Sequence, residues 1–148
     1  MADNIISLKA SADGTTLTKV KIKGFEYEID EPAFFGGRDL APSPVDYLLG
    51  SIAGCISAIG TYMAKEMGFT LRHLDIAVDG LINSDLFFGI SEKKRSGFQK
   101  IDITLTIDSD ATPKQLKIWK EQLLTRCPVI DNLLHPVEIA VKEAEEMK

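Results

Sequence analysis

The chain has 148 residues, which fits one domain that can bury a core of its own. Its 17 basic and 22 acidic residues give a formal net charge of -5, so it has no general attraction for nucleic acid phosphates or anionic lipid. The N-terminus, MADNIISLKA, lacks the basic and apolar regions of a secretory signal. We therefore expect a single cytoplasmic domain over residues 1–148 that binds neither nucleic acid nor membrane.

The first third of the chain predicts an antiparallel meander. Three segments alternate apolar and polar residues: Ile5–Ala10, Thr16–Ile22 and Phe25–Ile29. Asp13-Gly14 is a favourable turn pair between the first two segments. The following stretch, residues 31–43, is rich in proline and glycine and lacks periodicity, which indicates a loop.

A long helix is predicted from Pro44 to Met67. Ser43 is a good N-cap, Pro44 suits the first helical position, and Asp46 lies near the positive end of the helix dipole. Apolar residues then recur at helical spacing, and Gly68 is suited to end the helix.

No charged residue occurs from Tyr47 to Ala64, so a membrane span is an alternative for this helix. Glycine, serine and threonine dilute its hydrophobicity, and the neighbouring segments have the pattern of half-buried soluble sheet. The small residues at Gly50 and Gly54 more simply let another backbone approach, within one chain or across a dimer.

The second half of the chain predicts two more strands, two helices and a final strand. Leu74–Asp79 and Ile101–Ile107 alternate strictly, with an extended hairpin carrying Phe87-Phe88 and a polar tip between them. Thr112 caps an amphipathic helix, and Cys127 precedes Pro128 as the N-cap of a short helix through Leu134. Val137, Ile139 and Val141 predict the last strand. The order of elements is typical of an α+β fold.

The two cysteines are the candidates for chemistry. Cys127 has a predicted helix-start position and a cationic neighbour, Arg126, both of which favour a thiolate. Cys55 lies among apolar residues in mid-helix, so it needs a partner from elsewhere in the fold; otherwise it is a packing residue. His73 and His135 have no ligand spacing to the cysteines, and we expect neither a metal nor a cofactor.

The segments SPVDYLLGSIAGC and TRCPVIDNLL together resemble the OsmC/Ohr family of osmotically inducible and organic hydroperoxide resistance proteins. That family has a proline at the start of its central helix, a cysteine eleven residues later, and a second cysteine in a Cys-Pro pair. Pro44, Cys55 and the Cys127-Pro128 pair match these features. The glycine pair before the helix and the closing PVEIAV segment extend the resemblance over nearly the whole chain.

The resemblance implies an OsmC-like fold, with antiparallel sheets wrapped around a long central helix in an intertwined homodimer. It also implies a thiol-dependent peroxidase for small hydrophobic hydroperoxides, with active sites at the dimer interface. Cys55 attacks the peroxide, Cys127 resolves the product as a disulfide, and an external dithiol restores both thiols.

Peroxidase members of the family place a glutamate directly after the helix-opening proline, where it holds an arginine against the thiolate. Here that position is Val45, and the first arginine of the chain is Arg38. Arg38 and Asp46 are therefore the candidates for tuning the thiolate of Cys55. The alternative is a binding or redox-sensing module, in which an apolar interface pocket holds a small hydrophobic ligand.

Overall fold

The computed structural model describes residues 4–91 and 95–143 and has the predicted α+β class, with two antiparallel sheets. The chain divides into two compact units, Met1–Gly50 and Ser51–Lys148, and the single domain expected from the length stays a prediction. The elements are β1 (Lys9–Ser11), β2 (Thr18–Ile22), β3 (Phe25–Ile29), α1 (Pro44–Glu66), β4 (Leu71–Ile82), β5 (Phe98–Ser109), α2 (Pro113–Arg126) and α3 (Pro128–Leu134).

The predicted meander forms the sheet of the first unit, in the order β1-β2-β3. Val20 lies opposite Tyr27 and is buried in the core of this unit. Lys23 and Gly24 join β2 to β3 with positive φ angles of 49° and 85°, as a tight hairpin turn with right-handed strand twist requires. The first strand is shorter than predicted, because residues 5–8 pair with no strand in the described part of the chain.

The carboxylate of Asp30 organises the loop that follows β3. Asp30 is fully buried and accepts a hydrogen bond from the hydroxyl of Thr16 at 2.6 Å. It also accepts the backbone N–H groups of Arg38 and Leu40, each at 3.2 Å. The Thr16 hydroxyl and these N–H groups favour the charged form and lower the pKa of Asp30 to about 2.

The same loop is closed by contact between its two ends. The N–H of Asp39 donates to the carbonyl oxygen of Glu31 at 3.1 Å. A Cβ placed on Gly37 would lie 1.7 Å from that same oxygen, so any side chain at this position would force the backbone to move. The predicted loop is thus a fixed structure that includes one turn of 3-10 helix at Ala33–Phe35.

Helix α1 begins and ends with the predicted local signals. Ser43 and Asp46 form a reciprocal cap: the Asp46 carboxylate accepts from the Ser43 N–H at 2.9 Å, and the Ser43 hydroxyl accepts from the Asp46 N–H at 3.3 Å. At the other end, Gly68 has a φ of 72°, and its N–H donates to the carbonyl oxygen of Lys65. The N–H of Phe69 donates to the carbonyl oxygen of Ala64. These two bonds are the glycine-ended helix stop described as a Schellman motif.

The core of the second unit forms where α2 packs on α1. The side chain of Trp119 is fully buried, and its indole N–H donates to the carbonyl oxygen of Gly60 at 2.9 Å. The absence of a side chain on Gly60 makes room for this ring, because a Cβ there would lie 2.7 Å from a ring carbon. Gln115 completes the contact, since its amide donates to the backbone oxygen of Met67 at 3.2 Å.

Strands β4 and β5 pair as an antiparallel hairpin with the predicted alternation. Leu74 lies opposite Ile107 and Val78 lies opposite Ile103, with these apolar side chains half-buried. The connection includes turns over residues 85–89, and the predicted polar tip falls partly on residues 92–94, outside the described residues.

The final predicted strand is wrong. Residues 136–143 form no ladder with any strand that the structure describes, although their apolar residues alternate. Val137, Ile139 and Val141 are largely exposed, the last at 93%. An alternating pattern shows which face of a strand is apolar, but a strand also needs a neighbour for its backbone hydrogen bonds, and the described residues supply none there.

Candidate functional site

The two cysteines, far apart in sequence, are neighbours in the second unit. Cys55 lies in the middle of α1 and is half-buried, whereas Cys127 lies between α2 and α3 and has no exposed surface. Both are free thiols, and Cys127 is close enough to Cys55 to act on the pKa of its thiol. The fold therefore brings together the two thiols that the sequence singled out.

The start of α3 supplies a further contact to Cys55. Pro128 occupies the first helical position, and the backbone N–H of Val129 donates to the Cys55 sulfur. N–H groups in the first turn of a helix have no partner within it, so they are available to an anion or a polarisable sulfur.

Burial, Cys127 and the backbone of Val129 all act on the ionisation of Cys55. Burial raises its pKa above the ordinary value, because the thiolate loses hydration, and the neighbouring Cys127 raises it further. The Val129 N–H acts in the opposite direction by stabilising the thiolate. The net pKa is raised, and among the described residues no cationic side chain contributes to its shift.

Cys127 is held by the backbone on both sides. Its N–H donates to Leu123 at 3.2 Å as the last bond of α2, and its carbonyl oxygen accepts from Asp131 at 2.9 Å as the first bond of α3. With φ -84° and ψ 110°, it is extended between two helices, which confirms the predicted N-cap position. Its sulfur makes no capping hydrogen bond.

Arg126, the cation next to Cys127, is directed to α1. Its guanidinium lies 2.6 Å from the carboxylate of Glu66 and 5.6 Å from the centre of the Tyr62 ring. The positive charge of Arg126, predicted to favour a Cys127 thiolate, thus has an acidic and an aromatic partner on α1.

The other two candidates, Arg38 and Asp46, lie in the first unit. Arg38 is exposed, and its backbone N–H donates to Asp30. The carboxylate of Asp46 accepts from the N–H and hydroxyl of Ser43. No ion pair joins Arg38 to Asp46 within the described ranges, and the influence of either residue on Cys55 stays a prediction.

The sequence did not predict two contacts at this site, that of Val129 with Cys55 and that of Arg126 with Glu66. The Cys-Pro pair predicted that α3 starts at Pro128, and a helix start implies unpaired N–H groups, but the sequence does not say what they face. For Arg126, only its position next to Cys127 could be read from the sequence.

Over residues 4–91 and 95–143, no group of three or more histidine, cysteine or acidic side chains could hold a metal ion. In the same residues, α1 is the one helix long and apolar enough to cross a membrane. The core helix of a soluble protein meets the same criterion, so this is weak evidence for a membrane span.

Comparison with known proteins gives a consistent assignment. A family model described as OsmC-like protein matches residues 36–142, a range that includes both cysteines, α1 and the start of α3. Among curated proteins, none matches the chain.

Solved structures share the fold at low sequence identity. An OsmC-like protein from Mycoplasma pneumoniae is 19% identical with a TM-score of 0.77, covering 91% of each chain. An organic hydroperoxide resistance protein OsmC from Legionella pneumophila is 15% identical with a TM-score of 0.64, over 90% of this chain and 91% of the other. An organic hydroperoxide resistance protein from Elizabethkingia anophelis is 16% identical with a TM-score of 0.65, over 93% of each chain.

Proposed function

Because the chain belongs to the family of OsmC-like proteins, we propose that it is a thiol-dependent peroxidase that reduces organic hydroperoxides through Cys55 and Cys127. The observation that carries the proposal is the proximity of the two thiols, since a resolving cysteine has to reach the sulfur that the peroxide oxidises. Two solved structures of the same fold are described as organic hydroperoxide resistance proteins, which supports this substrate class.

The reaction has two steps. The Cys55 thiolate attacks the terminal peroxide oxygen, the O–O bond breaks, and the alkoxide leaves as an alcohol after protonation; Cys55 becomes a sulfenic acid. The Cys127 thiolate then attacks the Cys55 sulfur, the S–O bond breaks, and hydroxide leaves as water after protonation. An external dithiol reduces the resulting disulfide by exchange and is itself oxidised.

The first step needs a thiolate at Cys55, and the Val129 N–H is one group that favours it. Burial and the neighbouring Cys127 oppose it, so a further positive group has to lower the pKa for reaction at neutral pH. We assign that role to Arg38, with Asp46 as the carboxylate that orients it.

The active form in this proposal is a cytoplasmic homodimer. The exposed side of α1 carries small residues, and a Cβ on Gly50 or Gly54 would meet nothing within 4 Å in the single chain. Small residues at this spacing allow two helices to approach closely. Ile139 and Val141, together with Ile5, are exposed apolar residues that a second copy would cover.

A second function is a non-catalytic binding or redox-sensing module with an apolar interface pocket. The raised pKa of Cys55 favours it, because a neutral thiol reacts slowly with peroxides. Under this alternative the two cysteines are packing residues or form a slow disulfide.

The test is a count of thiols after addition of cumene hydroperoxide. The peroxidase loses two thiols per chain rapidly, Cys55→Ser loses none, and Cys127→Ser stops at a sulfenic acid that dimedone traps. A wild-type protein that retains both thiols through many equivalents of peroxide would rule out the peroxidase and leave the binding module.

A further inference from the structure

The proposed resolving step depends on where the junction between α2 and α3 lies relative to α1. Cys127 is at that junction, and the residue before it, Arg126, is the last residue of α2. Two contacts tie the Arg126 side chain to α1: the 2.6 Å ion pair with Glu66 and the position of the guanidinium over the Tyr62 ring.

Arg126 is next to Cys127 in sequence, and its two partners, Glu66 and Tyr62, are on α1, the helix that carries Cys55. Tyr62 is seven residues after Cys55, which is about two helical turns, so both side chains lie on one side of α1. Arg126 and Val129 thus flank Cys127 in sequence, and each contacts α1, the first through its guanidinium and the second through its N–H on Cys55.

We propose that Arg126 is a positioning residue that, with Glu66 and Tyr62, holds the α2–α3 junction against α1 and keeps the Cys127 sulfur within reach of Cys55. The inference deepens the proposed function, because the step it serves is formation of the Cys55–Cys127 disulfide. Arg126 takes no part in the chemistry, and its charge is engaged by Glu66 rather than by either sulfur.

The expected effect is modest because both partners are partly exposed, at 36% for Arg126 and 50% for Glu66. Exposed ion pairs and cation–π contacts are individually weak. We expect loss of the ion pair to reduce the effective concentration of one thiol at the other about 2- to 5-fold.

The test measures that effective concentration by thiol–disulfide exchange with oxidised dithiothreitol, with no peroxide present. Arg126→Gln and Glu66→Gln should each lower it by this factor, and Arg126→Lys should restore part of it. Lys120→Gln, which removes an exposed cation from the same helix, should leave it unchanged. Because salt screens the ion pair, 1 M salt should bring the wild type towards Arg126→Gln.

A merely structural loss of stability would not depend on salt in this way. Equal exchange constants for the wild type, Arg126→Gln and Glu66→Gln would overturn the inference, whatever the protein does with peroxides. Failure of the proposed function is distinguishable, because it appears as a wild type that closes its disulfide with dithiothreitol but does not react with cumene hydroperoxide.

Discussion

The indole N–H of Trp119 donates a hydrogen bond to the backbone oxygen of Gly60, 2.9 Å away, and so joins α2 to α1 in the buried core of the second unit. Trp119→Phe removes this donor and leaves a void where the larger ring was. We expect the free energy of unfolding to fall by about 2–3 kcal/mol, from the lost hydrogen bond and the unfilled volume together. The measurement is urea denaturation followed by circular dichroism.

The matched control is Leu124→Ala, on the same helix with a side chain that is 52% exposed. It should cost less than about 1 kcal/mol, as surface substitutions usually do. Equal losses for the two variants would contradict the role assigned to Trp119.

Asp30 makes the stability of the protein depend on pH in the acidic range. Its folded-state pKa of about 2 is below the unfolded value of about 3.9, so its contribution is fully present above the unfolded pKa and is lost as pH falls towards 2. Asp30→Asn should therefore be less stable than the wild type at pH 6, and the difference should narrow between pH 4 and pH 2.

The measurement is the difference in unfolding free energy between the two proteins at several pH values. Asp13→Asn, on an exposed turn, is the control and should show no such narrowing. A difference that stays constant down to pH 2 would show that the Asp30 carboxylate is not the titrating group.

Arg38 is expected to affect the ionisation of Cys55 if the peroxidase proposal is right. Removing a nearby positive charge destabilises the thiolate, so Arg38→Gln should raise the pKa of Cys55. The measurement is the rate of Cys55 alkylation by iodoacetamide against pH, read from the mass of its peptide. Arg95→Gln is the control, and identical profiles for all three proteins would favour the binding module.

Substitutions at the N-terminus of α1 distinguish two roles of Asp46, namely capping the helix and orienting Arg38. Ser43→Ala and Asp46→Ala each break the reciprocal cap and should cost about 1 kcal/mol, with the double variant costing little more than either one. If Asp46 also orients Arg38, then Asp46→Ala alone should raise the pKa of Cys55. Ser43→Ala giving the same alkylation profile as Asp46→Ala would leave Asp46 with only the capping role.

Gly54 tests the proposed dimer. A Cβ at this position has no atom of the chain within 4 Å, so the single chain should still fold with Gly54→Leu. Leucine also has a higher helix propensity than glycine. In a dimer of closely approaching helices it should weaken association about tenfold or more, because overpacking costs about 1–3 kcal/mol.

Sedimentation equilibrium measures this change in association. Lys117→Leu, an exposed position on α2, should leave the dissociation constant unchanged. An unaltered constant for Gly54→Leu would exclude this face of α1 from the interface, and a monomeric wild type would exclude the dimer itself.

The helices were predictable because their signals are local. Ser43 before Pro44, Thr112 before Pro113 and Gly68 after α1 each act on backbone groups within a few residues, so one sequence is enough to place them. Residues 25–29 were placed for a similar reason, since a tight turn and strict alternation fix both the strand and its register.

What the sequence could not provide were contacts between elements distant in the chain. The strand expected over residues 137–141 fails because alternation says nothing about a partner strand. The proximity of Cys127 to Cys55 was implied only by resemblance to a family. No local sequence signal predicted the contact of the Val129 N–H with Cys55. Such contacts depend on how α3 packs on α1, which is decided by the whole core.

The closed loop between β3 and α1 has a consequence for how this sequence can vary. Surface loops usually accept insertions and substitutions, but here Gly37 lies against the Glu31 oxygen, and the backbone N–H groups of Arg38 and Leu40 both donate to one buried carboxylate. An insertion or deletion in this loop would both displace Arg38 and expose Asp30. We expect relatives that retain Asp30 and Gly37 to have the same spacing between them, whereas the hairpin tip should differ freely in length.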